Sequence, residues 1–202
     1  MRGIWRLKGY YNDYFALIIN GLHNSIVTDT TGKEISLDEG LEVWAEKAQF
    51  VKKDAKGLIF FCGNGASASM AEHMSHDWFQ NAVINTTTCA EISHITAISN
   101  DLSYDDVYSY RVKRILSEKD ILVGISSSGN SQNIVNAIIA AKDNGAFTIS
   151  LSGKEQDNKI RKMADLNFYV PLEHYGEVES AHAVLLHAAL DYYLDKYMEG
   201  RH

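Results

Sequence analysis

This chain has one proline, two cysteines, no surplus of positive charge and no apolar run long enough to cross a bilayer. Cys62 and Cys89 are too few for a disulfide framework, and Cys62 ends an apolar run, as a buried, reduced thiol does. The N-terminal stretch Met1-Arg2-Gly3-Ile4-Trp5-Arg6-Leu7-Lys8 has no long apolar segment behind it. That argues against a signal peptide and a spanning helix, so a cytoplasmic chain with no membrane partner is expected. Lysine and arginine number 19 against 26 acidic residues, a formal charge of −7, which argues against a general polyanion-binding surface and against nucleic acid as partner. Local phosphate binding stays open, because backbone N–H groups do not enter that sum.

What is present reads as one soluble domain over residues 1–202, with 46% apolar and 22% charged residues and enough length to bury a core. Two Ser/Gly clusters organise it. Gly63-Asn64-Gly65-Ala66-Ser67-Ala68-Ser69 follows the apolar run Leu58–Cys62, and Ser126-Ser127-Ser128-Gly129-Asn130-Ser131 follows Ile121–Ile125. A strand that ends in small residues and feeds a helix aims free N–H groups and hydroxyls at one spot, which suits an anion. Two near-copies about 60 residues apart suggest two loops converging on one small phosphorylated molecule. Neither is a Walker A loop or a GxGxxG fingerprint, so nucleotides rank below a sugar phosphate.

Helix and strand alternate around these clusters. Apolar spacing predicts a helix over 10–27, a turn at Asp29–Lys33, and a helix from a capping box at Ser36 and Glu39 to about Lys53. Strands are expected at 58–62, 94–99, 121–125, 147–151 and 166–170, the last closed by Pro171. Helices are expected at 67–81, 105–116, 133–144 with Gly145 at the C-cap, 159–164 and 177–198, while 83–90 is extended and ambiguous. This is the pattern of an α/β fold, a parallel sheet with both faces covered and ligands beyond the carboxyl ends of the strands.

Several side chains have a bland reading. His23, His94 and His174 read as packed or interface histidines, and His76, about 100° round the helix from Asp77, as structural. Ser131 reads as a helix N-cap as well as a phosphate contact. Tyr192, Tyr193 and Tyr197 read as packing or oligomer contacts, and Lys52-Lys53 as solvated surface. His73 and Asp77, four apart on one helix face, form a plausible two-ligand clip for zinc.

In register, the motifs Cys62-Gly63-Asn64-Gly65-Ala66-Ser67, Asn100-Asp101, Val107-Tyr108, Gly124–Ser131, Glu179-Ser180-Ala181-His182 and His187 resemble the sugar isomerase (SIS) domain family, and within it the phosphoheptose isomerases. The resemblance runs from about residue 10 to the end. It implies a three-layer flavodoxin-like fold with an added N-terminal helical segment (1–54) used in oligomerisation and a long C-terminal helix. It also implies a homotetramer whose active sites draw on more than one subunit, and one Zn²⁺ or other divalent metal per subunit. The implied activity interconverts sedoheptulose 7-phosphate and D-glycero-D-manno-heptose 7-phosphate, on the way to heptose nucleotides for lipopolysaccharide or capsule. The resemblance gives Asn64, Ser67, Asp101, Ser126, Ser127, Ser128, Ser131 and Glu179 to the substrate. It gives His73, Asp77, Glu179 and His187 to the metal, and Asp77 and His187 to acid/base work, while His182 supports the site or packs.

The chain departs from that family pattern in four places. Asp77 stands where the family has Glu, Glu179 where it has Gln, and Asn81 and Glu177 where it has Arg. These changes keep a different sugar phosphate open. A non-catalytic relative that binds a replication initiator is the other alternative. Along an ideal helix Glu179 and His187 stand about 12 Å apart, near the limit for sharing one ion, which ranks His187 above Glu179 as a ligand.

Overall fold

The computed structural model describes residues 9–54 and 57–199; the N-terminal stretch read above for targeting, Met1 to Lys8, lies outside them. In chain order the elements are α1 (Tyr10–His23), β1 (Ile26–Thr28), β2 (Glu34–Ile35), α2 (Leu37–Lys53), β3 (Ile59–Gly63), α3 (Ala66–Asn81) and β4 (Thr86–Thr87). There follow α4 (Ile92–Asp101), a 3-10 turn (Tyr104–Asp106), α5 (Ser109–Ile115), β5 (Ile121–Ser126), α6 (Gln132–Asp143), β6 (Phe147–Gly153), α7 (Lys159–Met163), β7 (Leu166–Val170) and α8 (Tyr175–Tyr197).

The strands form one sheet in the order β2-β1-β7-β6-β5-β3-β4. From β7 to β4 every pairing is parallel, while β1 runs antiparallel to β7 and β2 to β1. The central strands β3, β5 and β7 are buried on both faces, as helix-covered strands must be. Alternate residues feed two cores. Ile59, Phe61, Val123 and Ile125 join the apolar side chains of α2, α3 and α8, whereas Phe60, Cys62 and Leu122 join those of α4, α5 and α6. Three layers result.

Local chemistry explains the boundaries. The predicted capping box forms in full: Ser36 Oγ accepts from Glu39 N, and the Glu39 carboxylate accepts from Ser36 N. The predicted helix over 10–27 ends instead at His23, where Asn24 Nδ2 donates to Asn20 O at 2.8 Å. Ile26–Thr28 then leaves to pair with Asn167–Tyr169 as an antiparallel edge. The predicted strand over 94–99 is helix α4. Ile95 and Ile98 recur at helical spacing against the second core, and Thr96 Oγ1 bonds back to Ile92 O. Lys52 is not solvated surface: its ammonium donates to Ala82 O at 2.8 Å, and burial lowers its pKa.

Between α2, α3 and α8 the indoles of Trp44 and Trp78 stack at 6.3 Å, with Tyr193 5.2 Å from Trp78. Trp78 and Tyr193 are fully buried, so Tyr193 takes the packing role expected of it. Trp78 lies on the helix that carries His73 and Asp77 and packs against the helix that carries His187. Trp78→Ala is predicted to lower unfolding stability in urea by about 3–5 kcal/mol; a loss below about 1 kcal/mol would contradict this placement.

Candidate active site

Strand register brings the two Ser/Gly loops together. β3 ends at Gly63 and pairs there with Ile125 of β5, so both loops leave the sheet side by side at its carboxyl edge. Gly63 is needed for the close approach, since a Cβ on it would lie 2.5 Å from the Ser67 carbonyl. Gly129 takes φ +64°, and a Cβ there would strike Asn158 Oδ1. Ser67 from the first loop and Ser126, Ser127, Ser128 and Ser131 from the second line a pocket of about 210 Å³. α3, α6 and α8 all begin beside it, and helix N-termini favour anions.

Asn64 forms a reciprocal amide pair with Asn133 at 2.8 and 2.9 Å, and its Oδ1 also accepts from Tyr104 OH. It ties the first loop to α6 and to the 3-10 turn. Ser131 sits at the N-cap position of α6 but makes no capping bond, which corrects the expectation of a cap. Its hydroxyl pairs with Ser126 Oγ at 3.2 Å instead, inside the pocket wall. Sequence reasoning missed Asn133 and Tyr175. Tyr175 lines the pocket from the first turn of α8, four residues before Glu179 and on the same helix face, a spacing that could have flagged it.

A second cluster lies between α3 and α8. His73 Nε2 is 3.3 Å from Asp77 Oδ2, and the His187 ring stands edge-on to His73 at 5.3 Å between centroids. Ligand atoms of His73, Asp77 and His187 lie within 4.8 Å of one another. The two histidines are exposed, and His73 and His187 rim a cleft of about 200 Å³ whose other walls include Met70, Met74 and Leu186. Two imidazoles and one carboxylate, open on one side, are a donor set that suits zinc.

The remaining candidates fall elsewhere. Glu179 lines the serine pocket and is not part of the three-residue cluster. Asp101 ends α4, exposed, where its Oδ1 accepts from Asn100. Glu177, at a family arginine position, is buried in the first turn of α8, where a helix N-terminus favours a carboxylate. His76, His23 and His174 are exposed. His94 Nε2 donates to Val107 O at 2.8 Å, as a packed histidine does. Cys62 and Cys89 are buried, and burial pushes both thiols up, Cys89 to about 11.

The matches with known proteins follow this geometry. The SIS domain profile matches residues 44–153. The chain belongs to the SIS domain family. It is 34% identical to the phosphoheptose isomerase of Aliarcobacter butzleri over 79% of this chain and 87% of that protein. With the phosphoheptose isomerase of Proteus mirabilis it shares 33% identity over 85% of this chain and 92% of that protein. The phosphoheptose isomerase structure from Neisseria gonorrhoeae superposes with TM-score 0.77 at 30% identity, covering 92% of this chain and 98% of the other. This SIS chain therefore has its relatives among the phosphoheptose isomerases, and its fold is theirs.

His182 carries a pH prediction. It is fully buried, donates Nε2–H to Ser152 O at 3.1 Å, and leaves Nδ1 without a protein partner. Burial lowers its pKa to about 4, against 6.5 for a free imidazole. The unfolded chain thus binds the extra proton first, so stability is full above about pH 6.5 and falls as pH drops toward 4. In urea melts at several pH values, His182→Gln is predicted to flatten the slope between pH 4 and 6.5. An unchanged slope would contradict the assignment.

Proposed function

We propose that this chain is an aldose–ketose isomerase that converts sedoheptulose 7-phosphate to D-glycero-D-manno-heptose 7-phosphate. The observation that carries this reading is the spacing of two anchors along shared helices. α3 runs from Ser67 in the serine pocket to His73, six residues or about 9 Å on. α8 runs from Glu179 in the same pocket to His187, eight residues or about 12 Å on. Carbon–carbon bonds of about 1.5 Å, six of them in zigzag with a phosphate ester at one end, reach on the order of 10 Å. A seven-carbon sugar phosphate held at its phosphate by the serines presents its carbonyl end to the His73–Asp77–His187 cluster.

The serine hydroxyls and the N-termini of α3, α6 and α8 hold the phosphate. Glu179 meets sugar hydroxyls; Asp101, at the end of α4 and outside the lining of this pocket, is assigned to the substrate by the family resemblance alone. Asp77 takes the proton from C1 of the ketose and returns one to C2, which passes the chain through an enediol. His187 moves the proton between the two oxygens. His73, Asp77 and His187 would hold one zinc or other divalent ion per subunit, which when bound polarises the carbonyl and hydroxyl. Glu179, on the pocket side, serves the substrate before the metal.

The reading places the enzyme in the cytoplasm, in heptose-nucleotide synthesis for lipopolysaccharide or capsule. It treats residues 1–202 as one SIS domain, with 1–54 serving a homotetramer. Support for the assembly comes from α1, which leaves Tyr10, Tyr11, Phe15, Leu17 and Ile19 exposed. Among the described residues no helix is long and apolar enough to cross a membrane. A purely binding role would not need the His–Asp–His cluster, which favours the enzyme.

Proton NMR in deuterated water with sedoheptulose 7-phosphate and zinc tests the proposal. Aldose product with deuterium at carbon is the expected result; neither product nor exchange would overturn it. Asp77→Asn is predicted to lower kcat about 10²- to 10⁴-fold. Chelator treatment should abolish turnover and added zinc restore it.

A further inference from the structure

Among the described residues, the serine pocket is lined by a carboxylate, Glu179, and by neither lysine nor arginine. A phosphate monoester carries a charge near −2 at neutral pH. Hydroxyls and N–H dipoles solvate that charge without neutralising it, and Glu179 adds repulsion.

A cation stands at the pocket's edge. Lys154 directly follows Gly153, the end of β6, at the carboxyl edge of the sheet. A Cβ on Gly153 would lie 3.2 Å from Ser127 O, so this turn abuts the second serine loop. The Lys154 ammonium rests 4.0 Å from the ring centroid of Tyr175, which lines the pocket on the same helix face as Glu179. The side chain thus runs from the turn beside the second serine loop to a ring that lines the pocket.

The backbone there is held in an uncommon shape. Lys154 has φ +58°, in the left-handed region that side-chain-bearing residues seldom enter. Its N–H donates to Leu172 O at 3.0 Å, and its carbonyl accepts from Tyr169 OH at 2.8 Å. Such a conformation persists where surrounding contacts over-determine it, and these two bonds do so.

We propose that Lys154 is a substrate-binding residue, whose ammonium exchanges the Tyr175 ring for the phosphate of the bound sugar and offsets Glu179. The exchange is favourable because an exposed cation–π contact is weak beside a charge-assisted bond to phosphate. The assignment rests on the sugar-phosphate reading above.

Two neutral variants test it. Lys154→Asn removes the charge with a residue that tolerates positive φ, and Lys154→Gly removes it with none of the backbone strain. Lys154→Arg keeps the charge. Steady-state kinetics with sedoheptulose 7-phosphate give KM and kcat, competition by inorganic phosphate gives its inhibition constant, and calorimetric titration gives its dissociation constant. For both neutral variants KM and the phosphate constants are expected to rise about tenfold or more, with kcat within about threefold of wild type. Lys154→Arg should stay within about threefold in all of them. Neutral variants with unchanged phosphate constants overturn the Lys154 proposal, as does a loss confined to kcat. A wild-type chain that binds phosphate without isomerising the heptose phosphate overturns the isomerase reading alone, and calorimetry then decides Lys154. Wild type that binds no phosphate overturns both.

Discussion

The pairing of β3 with β5 is the constraint on which the site depends. Gly63 lies opposite Ile125, so two loops about 60 residues apart in sequence leave the sheet at the same level. A slip of one residue would turn every strand side chain to the opposite face and mix the two cores. Parallel strands so buried must end at one edge, and helices that start there point their N-termini inward. The pocket is thus a consequence of sheet topology, and the serines tune what topology already aims at one point. Asn64, paired with Asn133 and Tyr104, locks the first loop to the helix that follows the second.

From that edge, α3 and α8 lead away from the serine pocket. Each begins beside the serine pocket and brings a histidine to the second cluster further along its length. Their mutual packing, through Trp78 and Tyr193, fixes His73 and Asp77 against His187. The serine pocket and the His73–Asp77–His187 cluster are therefore separated in space and joined by two helices. Under the proposed isomerase function, the length of the substrate between its charged end and its reacting end is a selectivity element. The departures at Asp77, Glu177 and Glu179, of which the last two add a carboxylate, fall at or near these two sites. Glu177 is absorbed by a helix start, while Glu179 lines the serine pocket.

Much of this was legible in the sequence because the signals were local. Ser36 with Glu39 announced α2, Gly145 announced the end of α6 with φ +80°, and the continuous apolar runs announced β3, β5, β6 and β7. The errors came where local signals were ambiguous. His94 to Ala97 alternates polar and apolar residues and so reads as the start of a strand over 94–99, while the packing of Ile95 and Ile98 on the second core decides for helix. Ile26–Thr28 becomes strand through pairing with β7, a partner about 140 residues away that no local window contains. His73 and Asp77 were visible as an i, i+4 pair, and their meeting with His187 required the packing of α3 on α8. The meeting of Tyr175 with Lys154 carries no local signal, because it arises only when the turn after β6 comes against the start of α8.

Anomalous diffraction at the zinc edge, on crystals grown with zinc and sedoheptulose 7-phosphate, tests the account most directly. It predicts one zinc peak about 2.0–2.2 Å from nitrogens of His73 and His187 and from an Asp77 oxygen, with phosphate density among Ser67, Ser126, Ser127, Ser128 and Ser131. Zinc bound away from these three residues, or phosphate seated outside the serine loops, would contradict it.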